Sequence, residues 1–444
     1  MNQPPMADTV IHTHLAVIGS GMAGMAAAIF ARNRGMATVQ VGRASEIGFA
    51  SGCLDLFSTL PGHPSRVYAD PFEGIAALKR IRPDHPYSHV TRDQIRKAFR
   101  EFTRFMASAG IRFHGPSQGI NQQIITPAGT LKPTWQVPGS MIAGAGAVAE
   151  KQRIGLVDIQ GLKGFGARQM AQTLKSKLPG ITGATIAFPG RETAGNLMCE
   201  HLCWDLETPA VMERFIQRLR PHADPVDVLG LPAVLGIYRF EARRHTLEQA
   251  LGRPVFEIPT LSPSVTGMRM KEAFLEKAPG TGHHHFPVAV SGITRDRNGF
   301  VFFVTRGQET VEIRARFLIL ATGRFLGQGL GVKSDRITEM LFGLPVTQPA
   351  DRSRWLRRDF FDQKGHPVNR AGLETDCFFR PLDDKGSVFH PRLYAAGSII
   401  AHQDWKREKS GSGIAIASAF RAVSHMASGT TPPEEIPPDR TTAV

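Results

Sequence analysis

The stretch Ile11 to Ile18 runs without a spacer into Gly19-Ser20-Gly21-Met22-Ala23-Gly24, and no other feature of the chain constrains its fold as much. A strand that enters G-x-G-x-x-G and leaves as a helix opens a nucleotide-binding βαβ unit. The first glycine makes the tight turn, the second lets the backbone approach a phosphate, the third lets helix and strand pack closely, and the helix N-terminus faces the anion. Helical periodicity follows over Met22 to Asn33, Gly35 ends it, and Ala37 to Val41 reads as the second strand.

An ordinary dinucleotide site places Asp or Glu about 20 residues after the glycines, against the adenosine ribose. The matching place here is Val41-Gly42-Arg43, which has no carboxylate. Three cofactors remain open at that point: FMN, which has no adenosine ribose; an NADP-type nucleotide, whose 2′-phosphate would suit Arg43; or FAD held by other contacts. Later segments favour a flavin. Ile319-Leu320-Ala321-Thr322-Gly323-Arg324 and Leu393-Tyr394-Ala395-Ala396-Gly397-Ser398 are strands ending in small residues. Ser410-Gly411-Ser412-Gly413-Ile414-Ala415 is a small-residue turn into a helix whose positive end suits a reduced flavin anion. Ser51-Gly52-Cys53-Leu54-Asp55-Leu56 follows the second strand where a loop would pass the flavin ring, with Cys53 read as a buried structural thiol. The expected cofactor contacts are therefore Gly19, Gly21, Gly24, Arg43, Ser51, Gly52, Gly323, Gly397, Gly411 and Gly413.

With 444 residues the chain has room for two to three domains of roughly 100 to 200 residues. The flavin segments lie at both ends, so the expected fold is α/β, a Rossmann-like FAD/NAD(P)-binding flavoprotein domain made from residues 11–61 and 314–428. An inserted α+β cap takes 62–313, and tails at 1–10 and 429–444 are expected to be disordered. In the cap, Thr91 to Ala109, Arg168 to Leu178 and Pro209 to Leu219 have helical patterns. Val288 to Thr294, Phe300 to Thr305 and Thr310 to Ile313 read as antiparallel strands, and Arg316 to Ala321 as a buried strand that must return to the first sheet. The last unit is a strand at Arg392 to Ala396 and a helix from about Gly413 to Met426.

The four cysteines form neither a disulfide scaffold nor an iron–sulfur run. No stretch is long and apolar enough for a membrane span, and Met1 to His14 lacks the marks of a signal peptide. A cytoplasmic location follows. Lys and Arg number 53 against 39 Asp and Glu, a formal charge of +14. The basic residues are scattered, which disfavours nucleic acid and leaves a solvated basic surface or a docking face for an anionic partner or lipid headgroups.

Together, the Gly19 to Gly24 turn, the Ser51 to Leu56 loop, Ile258-Pro259-Thr260-Leu261-Ser262-Pro263-Ser264 with Gly267 and Arg269, and Leu393 to Ala415 resemble the B-subunit family of anaerobic glycerol-3-phosphate dehydrogenase. Asp359-Phe360-Phe361, Gly365-His366, Arg370-Ala371-Gly372 and Arg380-Pro381 extend the likeness over nearly the whole chain, most weakly from Tyr68 to Leu251. The resemblance implies an FMN flavoprotein, with FAD as the alternative. It implies work beside a larger FAD-containing catalytic subunit to oxidise sn-glycerol 3-phosphate to dihydroxyacetone phosphate. Electrons would pass to a membrane-bound iron–sulfur subunit and on to quinone, with fumarate or nitrate as final acceptor, in a complex at the inner face of the cytoplasmic membrane.

Oxidising a secondary alcohol needs a base for the hydroxyl proton, a hydride acceptor and cationic groups for the phosphate. His402, in the polar loop Ala401 to Arg407, is the candidate base. Arg269, Arg370 and Arg380 are the candidate phosphate ligands. His283-His284-His285 reads as an exposed loop and not a metal site, because three consecutive side chains cannot face one ion. Cys199 and Cys203, one helical turn apart, share a helix face. The competing readings are a flavin subunit that only relays electrons or holds the complex together, and a flavin-dependent RNA-modifying enzyme.

Overall fold

The computed structural model describes residues 7–43, 46–116, 119–278, 282–290 and 292–429. Residues 1–6 and 430–444 of the expected tails lie outside that set. Thr9 and Val10, assigned to the first tail, are instead already in the opening strand, paired with Val311 and Glu312.

The main sheet has the order His283–Phe286, Thr38–Val41, Thr9–Ile18, Glu309–Leu320, Phe300–Arg306, Ile293–Arg295, with Leu393–Ala395 pairing the end of Glu309–Leu320. The opening strand is parallel to both neighbours, with Ile18 opposite Val41 on one side and Leu320 on the other. Leu15, Ala16 and Val17 are fully buried, as strands of a parallel sheet covered on both faces must be. Helices Met22–Arg32 and Gly411–Ser428 pack together, Phe30 meeting Phe420 edge-on at 5.3 Å, and Arg92–Ser108 packs against both.

Three expectations change here. Thr310 to Ile313 and Arg316 to Ala321 are one strand, Glu309–Leu320. Arg314 and Arg316 lie on its outward side while Ile313, Ala315 and Phe317 alternate inward, so the charges do not interrupt it. The three histidines are not a loop but the edge strand His283–Phe286, parallel to Thr38–Val41 and anchored by buried Phe286. The flavin-domain sheet therefore resumes at His283, well before residue 314.

The middle of the chain builds its own sheet in the order Thr182–Ile186, Ile154–Ile159, Val228–Pro232, Val255–Ile258. All three pairings are parallel. Parallel neighbours need crossover helices, which Ala167–Leu174, Pro209–Ala223 and Phe240–Leu251 supply. The cap's largest sheet is thus α/β in character, with small antiparallel pairs such as Gln122–Ile125 with Leu131–Thr134 beside it.

Arg269 belongs to this cap's core and not to a phosphate site. Its guanidinium is 3% exposed, pairs with both oxygens of Glu257 at 2.5 and 2.8 Å, and donates from Nε to the Gly236 carbonyl at 2.7 Å. Its face rests on Phe240. Buried, with its charge matched by Glu257, it is not open to a phosphate from solvent. Replacing Glu257 by Gln leaves a buried guanidinium without its counter-ion, and the loss expected in chemical denaturation is about 3–5 kcal/mol. Removing both charges together, as Glu257→Leu with Arg269→Met, should recover most of it.

Candidate functional site

The phosphate turn is fixed by backbone contact with the strand beside it. Gly19 has φ +124°, and a Cβ there would stand 2.1 Å from the Ala321 carbonyl oxygen; one at Gly24 would stand 2.0 Å from the Gly19 carbonyl oxygen. Neither position admits a side chain. Gly397, at φ +78°, comes so near the opening helix that a Cβ would lie 2.7 Å from Ala23 Cβ. The Gly19 turn, the Ala321-Thr322-Gly323 end and the Gly397 loop thus converge at the start of one helix, whose N-cap, Gly21, contributes no side chain to its free amides. The Thr322 hydroxyl is buried there with no partner. A helix N-terminus with open amides beside an orphan hydroxyl fits the phosphate of a flavin nucleotide. Arg43 is exposed and follows Gly42 at the end of the second strand.

The other expected contacts have additional duties. Gly52, at φ +80°, is pressed against Thr266 of the cap, and Ser51 Oγ lies 3.4 Å from Lys132 Nζ, which pairs with Asp55 at 2.6 Å. Gly413 donates its amide to the Asp55 carbonyl at 2.8 Å, and a Cβ on it would meet Tyr87 Oη at 2.1 Å. Gly411 packs on Trp405. The start of the closing helix is thereby fastened to the 51–56 loop. Burial pushes the Cys53 thiol up to about 11, so it is not a thiolate at neutral pH.

Beside this cradle opens a cleft of about 550 Å³, lined among others by Arg82, Asp84, Thr347, Arg354, Arg370 and His402. His402 adopts φ +67°, an uncommon left-handed conformation for a side-chain-bearing residue, and its amide donates to the Arg370 carbonyl at 3.0 Å. Its ring spans two carboxylates, Nδ1 to Asp84 at 2.9 Å and Nε2 to Glu374 at 2.5 Å. The Glu374 hydrogen bond chiefly, with the charges of Glu374 and Asp84, raises its pKa against the opposing effect of burial. The same bond lowers the Glu374 pKa. The sequence suggests His402 as a neutral base. An imidazolium with both N–H groups held by carboxylates has no lone pair to offer, so that role is corrected to a cationic bridge.

Of the three arginines expected at a phosphate, the cleft holds only Arg370. Its half-buried guanidinium has no hydrogen-bond or ion-pair partner among the described residues; burial chiefly, then the neighbouring charge of Arg82, lowers its pKa. Arg82 is likewise without a side-chain partner there. Two unpaired guanidinium groups on one concave surface make an anion site. Arg380 instead pairs with Asp376 at 2.7 Å and does not line the cleft. Among the described residues no His, Cys, Asp and Glu cluster has the form of a metal site.

Arg324 joins the cradle to the cleft, and sequence reasoning gave it no role although it directly follows Gly323. It donates from Nε to the Ser398 carbonyl at 2.7 Å, from Nη2 to the Gln403 carbonyl at 3.0 Å, and from Nη1 to the Asn369 carbonyl. Burial lowers its pKa to about 10, which leaves it charged at neutral pH. One side chain thus fixes the Gly323 end, the loop from Gly397 to His402, and the residue before Arg370. Arg82, Asp84 and Glu374 have no motif to mark them, since Arg82 and Asp84 come from the turn after helix Pro71–Ile81 and Glu374 from a loop far later in the chain.

Two outcomes follow. Gly19→Ala should yield protein purified without flavin, measured by absorbance near 450 nm, a wavelength typical of flavins, given roughly as expected for this cofactor class. The His402 bridge sets a pH dependence of stability. A raised histidine pKa contributes fully below about 6.5 and is lost as pH rises through the folded value. The lowered Glu374 pKa contributes above about 4.3 and is lost as pH falls through its folded value. The melting temperature of His402→Gln should therefore lie furthest below that of the unaltered protein between those limits, and the gap should close in alkali.

The FAD binding domain family matches residues 14–414. The B subunit of an anaerobic glycerol-3-phosphate dehydrogenase from Vibrio vulnificus is 30% identical over 426 residues, covering 93% of this chain and 96% of the relative. The B subunit of a probable anaerobic glycerol-3-phosphate dehydrogenase from Halobacterium salinarum is 31% identical over 427 residues, covering 93% and 97%. The solved structure of 3-ketosteroid delta1-dehydrogenase from Sterolibacterium denitrificans is 12% identical with a TM-score of 0.43, covering 94% of this chain and 100% of that one. With its phosphate turn, its small-residue strand ends and a match that spans nearly its whole length, the chain is a flavin-binding oxidoreductase and belongs to the B-subunit family of anaerobic glycerol-3-phosphate dehydrogenase.

Proposed function

We propose that this chain oxidises sn-glycerol 3-phosphate to dihydroxyacetone phosphate in the cleft bounded by Arg82, Arg370 and His402. The observation that carries the proposal is the pair of unpartnered guanidinium groups in a cleft that Arg324 ties to the cofactor cradle. Arg370 and Arg82 grip the substrate phosphate. The hydroxyl proton goes to Asp84, the carboxylate of the Asp84–His402–Glu374 cluster that lines the cleft, since each ring nitrogen of His402 already faces a carboxylate. A bound flavin supplies the hydride acceptor.

The cofactor is FAD. The missing carboxylate at Val41-Gly42-Arg43 suits FMN, but the family matched is an FAD binding domain. As its family implies, the chain works with a larger FAD-containing subunit and a membrane-bound iron–sulfur subunit that delivers electrons to quinone. It lies peripherally at the inner face of the cytoplasmic membrane; among the described residues no helix is long and apolar enough to cross one.

Heat extraction of the cofactor from purified protein should release FAD, and release of FMN alone would overturn that assignment. Anaerobic addition of glycerol 3-phosphate should bleach the flavin of this chain by itself. Bleaching only in the presence of the larger subunit would make this chain an electron relay. Arg370→Met should raise KM for glycerol 3-phosphate about 10- to 100-fold with a smaller change in kcat, the signature of a lost phosphate contact.

A further inference from the structure

The histidine run finds no use in the cleft, yet its last member reaches the phosphate turn. His285 Nε2 lies 3.0 Å from Ser20 Oγ, the residue between the first two glycines of the turn. Ser20, 5% exposed, also approaches the Gly42 carbonyl at 2.8 Å. A carbonyl only accepts, so the single Ser20 proton goes to Gly42, and Ser20 Oγ must accept from His285. The neutral ring is therefore the Nε2–H tautomer. Burial chiefly, with the charge of Lys271, lowers the His285 pKa against the opposing effect of the Gly42 backbone, in the direction that favours the neutral ring.

The edge strand places this donor with some care. His285 stands opposite Gln40 in the parallel register, and Gln40, fully buried, donates from Nε2 to the Gly19 carbonyl at 3.0 Å. Two side chains at paired positions on adjacent strands thus hold consecutive residues of one turn. The Gly42 amide completes the tie by donating to the Phe286 carbonyl at 3.0 Å. Gly42 is where the second strand ends, the place from which a ribose carboxylate would otherwise reach the adenosine half of a dinucleotide.

We infer that His285 is a positioning residue for the adenosine-diphosphate half of the cofactor, holding the Gly19–Gly21 turn and the end of the second strand in binding geometry through Ser20. The inference rests on the flavin reading of the turn. It gives the edge strand a function in a site whose usual acidic residue is absent: rigidity of the turn takes the place of a direct ribose contact. It also separates the two flavins, since both place a phosphate at the turn but only FAD extends past it toward the end of the second strand.

The test is titration of flavin-stripped full-length protein with FAD and with FMN, followed by quenching of flavin fluorescence, for the unaltered chain and for His285→Ala, His285→Gln and Ser20→Ala. His285→Ala should raise the Kd for FAD at least about 10-fold and that for FMN by a clearly smaller factor, on the scale of one lost hydrogen bond to a buried group. Gln retains an N–H donor and should restore most of the FAD affinity. Ser20→Ala should reproduce the alanine effect even if His285→Ala fails to fold. Unchanged FAD affinity in both alanine variants overturns the inference, as does equal weakening of FAD and FMN. Failure of the unaltered chain to bind either flavin overturns the flavin reading as well.

Discussion

The parallel pairing of Thr9–Ile18 with Glu309–Leu320 is the constraint on which the rest of the molecule depends. It joins the two ends of a chain whose middle forms another sheet, and it is close enough at its end for the Ala321 carbonyl to occupy the space of a Gly19 side chain. Everything near the cofactor turn follows from that proximity. Glu309–Leu320 serves two partners in succession: its first half pairs antiparallel with Phe300–Arg306, and its last residues pair parallel with Leu393–Ala395. The strand that leads to Gly397 is thereby brought beside the strand that leads to Gly323.

Charge near the cleft is arranged differently from charge in the cap. Arg269 and Glu257 neutralise each other in a dry interior and hold a helix to a strand. Arg82 and Arg370 have no hydrogen-bond or ion-pair partner among the described residues, while Asp84 and Glu374 are occupied by His402. Burial with a partner gives structure; partial burial without one leaves binding capacity. His402 sits between two carboxylates with a raised pKa, so what it brings to the cleft is electrostatic.

The fold was legible where local chemistry fixes it. Gly19 to Gly24 announced strand, turn and helix, and the apolar runs at Ile319 and Leu393 announced strands of the same sheet. The boundaries failed where long-range pairing decides. Nothing local says that His283 to Phe286 borders Thr38–Val41, or that Arg314 and Arg316 sit on the outward side of an unbroken strand. The site divided in the same way. Glycines are forced by backbone geometry and were readable one by one, whereas the fate of an arginine depends on its partner. Arg269 and Arg380 pair with carboxylates 12 and 4 residues away that sequence alone did not join to them, whereas Glu374, 4 residues from Arg370, goes to His402 and Arg370 pairs with no carboxylate among the described residues. Asp84 and Glu374 meet at His402 from loops far apart in the chain, so no motif could have named them.

Arg324 donates from its three nitrogens to three backbone carbonyls, two on the loop that follows Gly397 and one at Asn369. Side chains in those segments are free of that bond, since only their main-chain oxygens take part. The cleft can accordingly change its lining over evolutionary time, residue by residue, while the backbone frame that joins it to the glycine turn stays the same. A lysine would reach one of those oxygens and abandon the others. The cradle and the cleft are thus one inherited unit in backbone and two independent fields for variation in side chains.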